Sequence, residues 1–179
     1  MRLLLIFILA ILLFNNSVFA QDAQFPIVKG YGGIYEIDNV VEQLEANKQV
    51  KIIVELVSGN ETPEEYSFWV NNVARLMNLH VIEGVSSANL DVKVIVHGPA
   101  VFDLLSHGNY FEKYRIPKNP NIPVLEALDK AGADIIICGQ SLIARDLGRN
   151  EIWEKTHVAT SALTTITKNV ADGYVLIKF

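Results

Sequence analysis

The chain has 179 residues, with 15 Lys and Arg against 20 Asp and Glu, which gives a formal net charge of −5. This length corresponds to one ordinary domain and is sufficient to bury a hydrophobic core. The acidic balance gives no electrostatic reason to bind nucleic acid or an anionic membrane surface, so we expect neither as a partner. Cys138 is the one cysteine of the sequence, so an internal disulfide is excluded.

Residues 1–20 have the features of a secretory signal peptide. Arg2 supplies a positive start, residues 3–14 form an unbroken apolar run, and Val18 and Ala20 place small residues before the expected cleavage point. The run is shorter than the roughly 17 to 25 residues of a membrane-spanning helix, so we expect cleavage after Ala20 and no stable membrane insertion. The sequence therefore predicts an exported protein, periplasmic or secreted. A lone thiol in an oxidising compartment needs an explanation.

Residues 21–49 predict an extended, turn-rich arm. They keep neither a helical nor a strand period, apart from a short element expected around residues 39–44. The glycines in Gly30-Tyr31-Gly32-Gly33 resemble a phosphate-binding loop only superficially, because no Gly-Lys-Ser/Thr ending follows, and a structural turn is favoured. Regular patterns begin at Val50. We therefore predict a signal peptide over 1–20, an arm over 21–49 and an α/β domain over 50–179.

Strands and helices are predicted to alternate from Val50 onward. Apolar and β-branched runs predict strands over residues 51–57, 92–97, 133–138, 157–160 and 174–178. Helices are predicted over 62–79, 100–106, 119–128, 140–147 and 161–171, with Thr62, Pro63 and Glu65 as a capping box for the first. Tyr110, Phe111 and Tyr114 are assigned to a loop. Because the strands are apolar on both faces, a mainly parallel sheet with helices on both sides is favoured.

Polar residues follow several of these strands. Ser58, His97, Cys138 and the pair Thr160-Ser161 stand at strand ends, which share one edge of a parallel sheet, where ligands usually bind. A helix starting directly after Cys138 would favour its thiolate through free amides and the positive end of the helix dipole. An alternative of equal weight is a buried Cys138 that packs as a small hydrophobe.

The histidines also leave alternatives open. His97 either hydrogen-bonds a nearby backbone group or transfers a proton near neutral pH as a catalytic group. His80, His107 and His157 are scattered, with no paired spacing and no cysteine pair nearby, so no metal site is predicted. A Gly-x-Ser-x-Gly motif is missing, which leaves serine hydrolase chemistry without support.

Several motifs are similar to those of the DsrE/DsrF-like family. They are His97-Gly98-Pro99-Ala100, Asn119-Pro120-Asn121, the segment from Ile137 to Leu142, Ser161-Ala162-Leu163 and Gly173-Tyr174. The Cys-Gly-Gln-Ser sequence at 138–141 is the most specific of them. The resemblance covers residues 50–179, and residues 25–33 are similar to the arm of exported members. It implies a three-layer α/β/α fold around a mainly parallel sheet of about five strands, assembled as a homo-oligomer, either a trimer or a hexamer.

The resemblance also implies a function. In the intracellular sulfur-relay relatives a cysteine at this position accepts sulfur, so Cys138 would carry a persulfide, with His97 as the second catalytic candidate and no metal or organic cofactor. The partners would be sulfur donor and acceptor proteins or small thiols. The candidate substrate-binding residues are Gly98, Gly139, Gln140, Ser141, Ser58 and Ser161. Because export would remove the chain from cytoplasmic relay partners, two alternatives stay open: a non-catalytic ligand-binding or assembly module with a structural Cys138, and a thiol redox sensor.

Overall fold

The computed structural model of the protein describes residues 21–179. The predicted signal peptide, residues 1–20, lies outside the described residues, so export stays a prediction. Between residues 21 and 179, no helix is both long enough and apolar enough to cross a membrane.

The described chain contains strands β1 (Val50–Leu56), β2 (Leu90–Val96), β3 (Asp134–Cys138), β4 (His157–Ala159) and β5 (Val175–Lys178). Its α-helices are α1 (Phe68–Ile82), α2 (His107–Tyr114), α3 (Ile122–Lys130), α4 (Gly139–Ile143) and α5 (Ala162–Ala171). Short 3-10 helices are η1 (Ser87–Asn89), η2 (Gly98–Leu104) and η3 (Arg149–Glu151).

The five strands form one parallel sheet in the order β4-β3-β2-β1-β5. Leu56 pairs with Val96, Val96 with Ile137, and Cys138 with Ala159, so the carboxyl ends of these strands reach the same edge of the sheet. The predicted parallel α/β architecture is confirmed. We call this edge, where β1 to β5 end, the carboxyl edge.

The two faces of the sheet are covered unequally. Side chains such as Ile52, Val54 and Val94 point to one face, where α1, α3 and η2 complete the larger hydrophobic cluster. Ile53 and Ile95 point to the other face and pack with α5. The protein is thus a three-layer α/β/α domain, as the sequence predicts, with α5 as the helix that covers the second face.

The first helix begins later than its sequence predicts. It starts at Phe68 after Ser67, whereas Thr62 and Glu65 form a turn in which the Glu65 amide donates to the Thr62 carbonyl at 3.0 Å. The side chain of Asn60 donates to the carbonyls of both residues, and Asn121 accepts from the amide of Ser67 at 2.6 Å. These contacts hold the segment in a turn, so the predicted capping box is wrong.

A helix also replaces the loop predicted around Tyr110. α2 begins after Ser106, whose hydroxyl oxygen accepts from the Asn109 amide. Tyr110 is buried against Tyr114, and its hydroxyl donates to the carbonyl of Pro63 at 2.8 Å. The aromatic residues therefore hold α2 onto the domain and tie it to the segment that precedes α1.

The arm is fastened to α1 by one buried side chain. Asn78 accepts from the amides of Ile27 and Val28 and donates to the carbonyls of Val28, Tyr31 and Gly32. An antiparallel bridge between residues 24 and 34 closes the same stretch. Residues 39–44 form neither a helix nor a strand, so the short element expected there is wrong.

Candidate functional site

Cys138 is the last residue of β3 and lies at the carboxyl edge. The apolar strand brings it there, and α4 begins at the next residue, Gly139. A side chain at Gly139 would place its Cβ only 2.8 Å from the carbonyl oxygen of Ala159, so glycine allows the chain to turn closely against β4. Cys138 is 4% exposed and packs beside Ile53 and Ile95.

The sulfur of Cys138 lies at the amino end of α5. The amide of Ala162, the first residue of this helix, donates to Sγ at 3.2 Å. Ser161 caps the helix, since its hydroxyl oxygen accepts from the Thr164 amide at 3.1 Å. The amino end of a helix carries partial positive charge, which favours an anion such as a thiolate. α5 spans ten residues, whereas α4, the helix that the sequence suggested for this role, spans only five.

Ser141 connects the sulfur to the turn after β2. Its hydroxyl oxygen accepts from the Gly98 amide at 3.2 Å, and its own proton is donated to the sulfur. Burial alone would raise the pKa of the Cys138 thiol, but the hydrogen bonds from the Ser141 hydroxyl and from the amides of Ala162, Ser141 and Gln140 outweigh it. The pKa of the thiol therefore lies below its ordinary value, and the thiolate fraction at neutral pH is increased.

A second titratable group lies along the carboxyl edge. Nε2 of His97 is 2.8 Å from Oε1 of Glu55, and Oε2 of the same carboxylate is 2.8 Å from Nζ of Lys178. Burial alone would raise the pKa of the Glu55 carboxyl, but the hydrogen bonds and charges of Lys178 and His97 hold it below its ordinary value. His97 therefore bonds a carboxylate side chain instead of the backbone group that was one of its predicted alternatives.

The structure brings most of the predicted site residues together. Gly139 directly follows Cys138, Ser141 donates to its sulfur, and Gly98 donates to the Ser141 hydroxyl oxygen. Ser161 directly precedes Ala162, whose amide donates to the sulfur. The Gln140 side chain is exposed, while its amide contributes to the hydrogen bonding of the sulfur. Ser58 is different, because it follows β1, and β2 lies between β1 and β3.

Sequence reasoning missed Glu55, Lys178 and the role of Ala162. Glu55 did carry a signal, because it is a charged residue inside a run of apolar residues predicted to be buried. Lys178 and Ala162 carried none, since each reaches the site through the order of strands and helices in three dimensions. Among residues 21–179, no group of three or more His, Cys, Asp or Glu side chains is arranged to hold a metal ion.

Another buried carboxylate lies behind the carboxyl edge, on η2. Asp103 is 3% exposed, and its Oδ1 accepts from the amide of Asn60 at 3.1 Å. Burial raises the pKa of Asp103 to about 6, and the hydrogen bond from Asn60 offsets only part of this effect. Asp103 therefore joins the loop after β1 to the 3-10 helix after β2.

The fold and site define an α/β protein with a parallel sheet and an acidified thiol at the carboxyl edge. The model of the DsrE/DsrF-like family matches residues 51–179, and the chain belongs to this family. This confirms the resemblance found in the sequence.

Two solved structures are similar to this chain. A protein of unknown function, MTH1491 from Methanobacterium thermoautotrophicum, aligns with a TM-score of 0.53 and 15% identity over 73% of this chain and 99% of that protein. The YchN protein from E. coli aligns with a TM-score of 0.50 and 15% identity over 73% of this chain and 100% of that protein. At this identity they support the fold alone. A comparison with curated protein sequences found no match.

Proposed function

We propose that this protein is a cysteine-based sulfur carrier in which Cys138 holds sulfane sulfur as a persulfide. The observation that carries the proposal is the hydrogen bond from the Ala162 amide at the amino end of α5 to the sulfur. Together with Ser141 it stabilises the thiolate, which is the nucleophilic form of cysteine. Membership of the DsrE/DsrF-like family supports the same chemistry.

The transfer needs no external oxidant or reductant. The Cys138 thiolate attacks the outer sulfur of a donor persulfide, R–S–SH, so a bond forms to Sγ while the S–S bond of the donor breaks. The electron pair of that bond leaves on the donor thiolate, R–S⁻. An acceptor thiolate later attacks the outer sulfur of the Cys138 persulfide and releases Cys138 as a thiolate, which the same hydrogen bonds stabilise.

Burial of the thiol restricts the donor. Because Cys138 is 4% exposed and accepts from the Ala162 amide at the start of α5, little of the residue is accessible to a donor. A small sulfane donor should approach such a thiol more readily than a bulky one. We therefore expect small thiol reagents to modify Cys138 faster than large ones of equal intrinsic reactivity.

Intact-mass spectrometry tests the proposal directly. The purified protein is incubated with a small sulfane donor, and we expect a mass gain of one sulfur atom that a reducing agent reverses. Cys138→Ser is the control and should gain nothing. Ser141→Ala should still take up sulfur but more slowly below neutral pH, since losing the hydroxyl donor raises the thiol pKa and lowers the thiolate fraction. Absence of Cys138-dependent uptake would refute the proposal.

A specific observation supports a second function, a non-catalytic binding or assembly module. Cys138 packs in a cluster with Ile53, Ile95 and Ala162, as a structural cysteine would. Labelling of the native and the unfolded protein separates the two functions. Labelling that requires unfolding supports the binding module, while rapid native labelling supports the carrier or a thiol redox sensor, and only the sensor forms mixed or intersubunit disulfides under mild oxidation.

We also propose that copies of this chain assemble through the face covered by α5. Two apolar residues of α5 itself are exposed, Leu163 at 77% and Val170 at 46%. Such a surface favours association, and the family resemblance supports a second copy as its occupant. Light scattering should give the molar mass of a trimer or a hexamer, and Leu163→Glu should reduce the molar mass of the assembly. A monomeric wild type would contradict this proposal.

The features of residues 1–20 support export as a further proposal. Expression with the native start should give a chain that begins at Gln21 outside the cytoplasm. Recovery of a chain that begins at Met1 in the cytoplasm would contradict it.

A further inference from the structure

Glu55 occupies a position that suits an apolar residue. It lies on β1, a central strand, with Ile53 two residues before it on the same face and Ile95 opposite it on β2. The residue is 7% exposed. An ionised carboxylate at such a place is unfavourable unless it is paired and hydrogen-bonded. The proposed sulfur transfer assigns no role to it so far.

The two partners of Glu55 fix its orientation. Nζ of Lys178, on β5, lies 2.8 Å from Oε2 of Glu55. Nε2 of His97, which follows β2, lies 2.8 Å from Oε1. The Lys178 side chain is largely exposed and does not itself need a buried partner. The carboxylate is thus held between two strands, and its second oxygen is directed to the imidazole ring.

This arrangement defines the protonation pattern of His97. An ionised carboxylate only accepts hydrogen bonds, so Nε2 of His97 carries the proton that Oε1 accepts. Nδ1 makes no hydrogen bond to the part of the chain that the structure describes, and it is left to exchange a proton with reactants.

His97 and Cys138 are neighbours at the carboxyl edge. Val96 of β2 pairs with Ile137 of β3, so His97 and Cys138 follow one another in register on adjacent strands, which lie about 4.8 Å apart. His97 keeps an extended conformation, and both side chains share the face of Ile95. Glu55 and Lys178 pair with each other and lie level with Ile95, two residues before His97. The His97 side chain therefore reaches back to Glu55 on β1, while its backbone stays level with Cys138 on β3.

We infer that Glu55 is a positioning residue that holds His97 as the proton-transfer group of Cys138. The inference rests on the proposed sulfur transfer and adds the path of the proton. His97 takes the proton of the Cys138 thiol before the attack and gives it to the leaving sulfur of R–S⁻ as the S–S bond of the donor breaks. The products are the Cys138 persulfide and R–SH, so atoms, charge and electrons balance.

Leaving groups of different acidity test this role. An aromatic disulfide releases an acidic thiol that departs without a proton, whereas glutathione disulfide releases a weakly acidic thiol that benefits from protonation. Formation of the mixed disulfide with Cys138 is followed by intact mass for both reagents. Glu55→Gln should slow the reaction with glutathione disulfide by at least about tenfold and that with the aromatic disulfide by less than about threefold, since general acid catalysis acts on the poor leaving group.

Asp91→Asn is the matched control. Asp91 lies on β2, accepts from the Tyr174 hydroxyl at 2.6 Å and is remote from the carboxyl edge. Its replacement should therefore leave the reaction rates with both disulfides unchanged. His97→Asn should reproduce the selectivity of Glu55→Gln, and the double variant should be no slower than His97→Asn alone, because Glu55 acts through His97. Equal slowing with both disulfides, or additive losses in the double variant, would overturn the inference.

The outcomes for the inference and for the proposed function are distinguishable. Leaving-group selectivity without sulfur uptake from a sulfane donor supports the role of Glu55 and refutes the carrier. Sulfur uptake without selectivity supports the carrier and refutes the role of Glu55. If Glu55→Gln fails to fold, Lys178→Gln replaces it, since it frees one oxygen of the carboxylate from the strand. Lys178→Gln should also slow the reaction with glutathione disulfide more than the reaction with the aromatic disulfide, but by a smaller factor than Glu55→Gln. Equal slowing of the two reactions would again overturn the inference.

Discussion

Asp103 provides a quantitative test of the buried polar contacts behind the carboxyl edge. Its pKa is about 6 in the folded protein against 3.8 for an ordinary aspartate, because burial disfavours the charged form. The folded state therefore binds more protons than the unfolded state between these two pH values, and the free energy of unfolding falls as the pH rises through this window. The difference corresponds to a penalty of about 3 kcal/mol at neutral pH.

Asp103→Asn should remove this penalty while keeping the contact to the loop. The amide oxygen of asparagine can accept from the Asn60 amide as Oδ1 does now at 3.1 Å. The difference in the free energy of unfolding between the variant and the wild type should therefore grow by about 3 kcal/mol as the pH rises from about 4 to about 7. Urea unfolding followed by tryptophan fluorescence at each pH measures it.

Asp129→Asn is the control for this experiment. Asp129 is partly exposed and pairs with Lys155, so its replacement should change the free energy of unfolding by no more than about 1 kcal/mol. Parallel pH curves for the wild type and Asp103→Asn would refute the reasoning, because they would show that Asp103 stays ionised in the folded protein down to its ordinary pKa.

Two further substitutions test the arm and the turn at the thiol. Asn78→Leu should lower the free energy of unfolding by about 3 kcal/mol, since it leaves the buried amide of Val28 without its acceptor. It should also expose the amides of residues 27–32 to hydrogen exchange. Unchanged protection of these amides would contradict the proposal that Asn78 fastens the arm. Gly139→Ala should cost about 1 to 3 kcal/mol in urea unfolding, because its Cβ would lie 2.8 Å from the Ala159 carbonyl. Gly108→Ala, where nothing lies within 4 Å, is its control and should not destabilise; equal effects at both glycines would contradict the close approach.

The position of the thiol could be predicted from local pattern alone. The apolar run before Cys138 indicates a buried strand, and Gly139 marks its end, which places the sulfur at the end of β3. Parallel strands share their carboxyl ends, so the pattern also predicts that His97 and Ser161 lie at the same edge of the sheet as Cys138. These inferences depend only on residues close in sequence and on a general property of parallel sheets.

The order of the strands could not be predicted in this way. β5 lies beside β1, at the opposite side from β4, and this order alone brings Lys178 to Glu55. Nothing in the sequence around either residue indicates the other. The same limit applies to Ala162, whose amide reaches the sulfur because of how α5 packs on the sheet.

The start of α1 shows local signals losing to tertiary contacts. Thr62 and Glu65 have the spacing of a capping box, worth about 1 kcal/mol in other helices. Asn60 instead donates to the carbonyls of this segment, and Asn121 accepts from the Ser67 amide. The hydrogen bond from the Tyr110 hydroxyl to the Pro63 carbonyl adds to their effect. A sequence pattern cannot weigh a cap against contacts made by Tyr110 and Asn121, which lie 47 and 54 positions from their partners in this segment.

The contact between Cys138 and α5 has a consequence for how the protein matures. Ala162, whose amide donates to the sulfur, lies 24 positions further along the chain, so this hydrogen bond forms only after α5 has been synthesised and has docked. Until α5 docks, the Cys138 thiolate lacks the hydrogen bond from the Ala162 amide, and only the contacts of Ser141 and Gln140 lower the pKa of the thiol. Its reactivity therefore reports completed folding, and a chain truncated before α5 would carry the same cysteine without this activation.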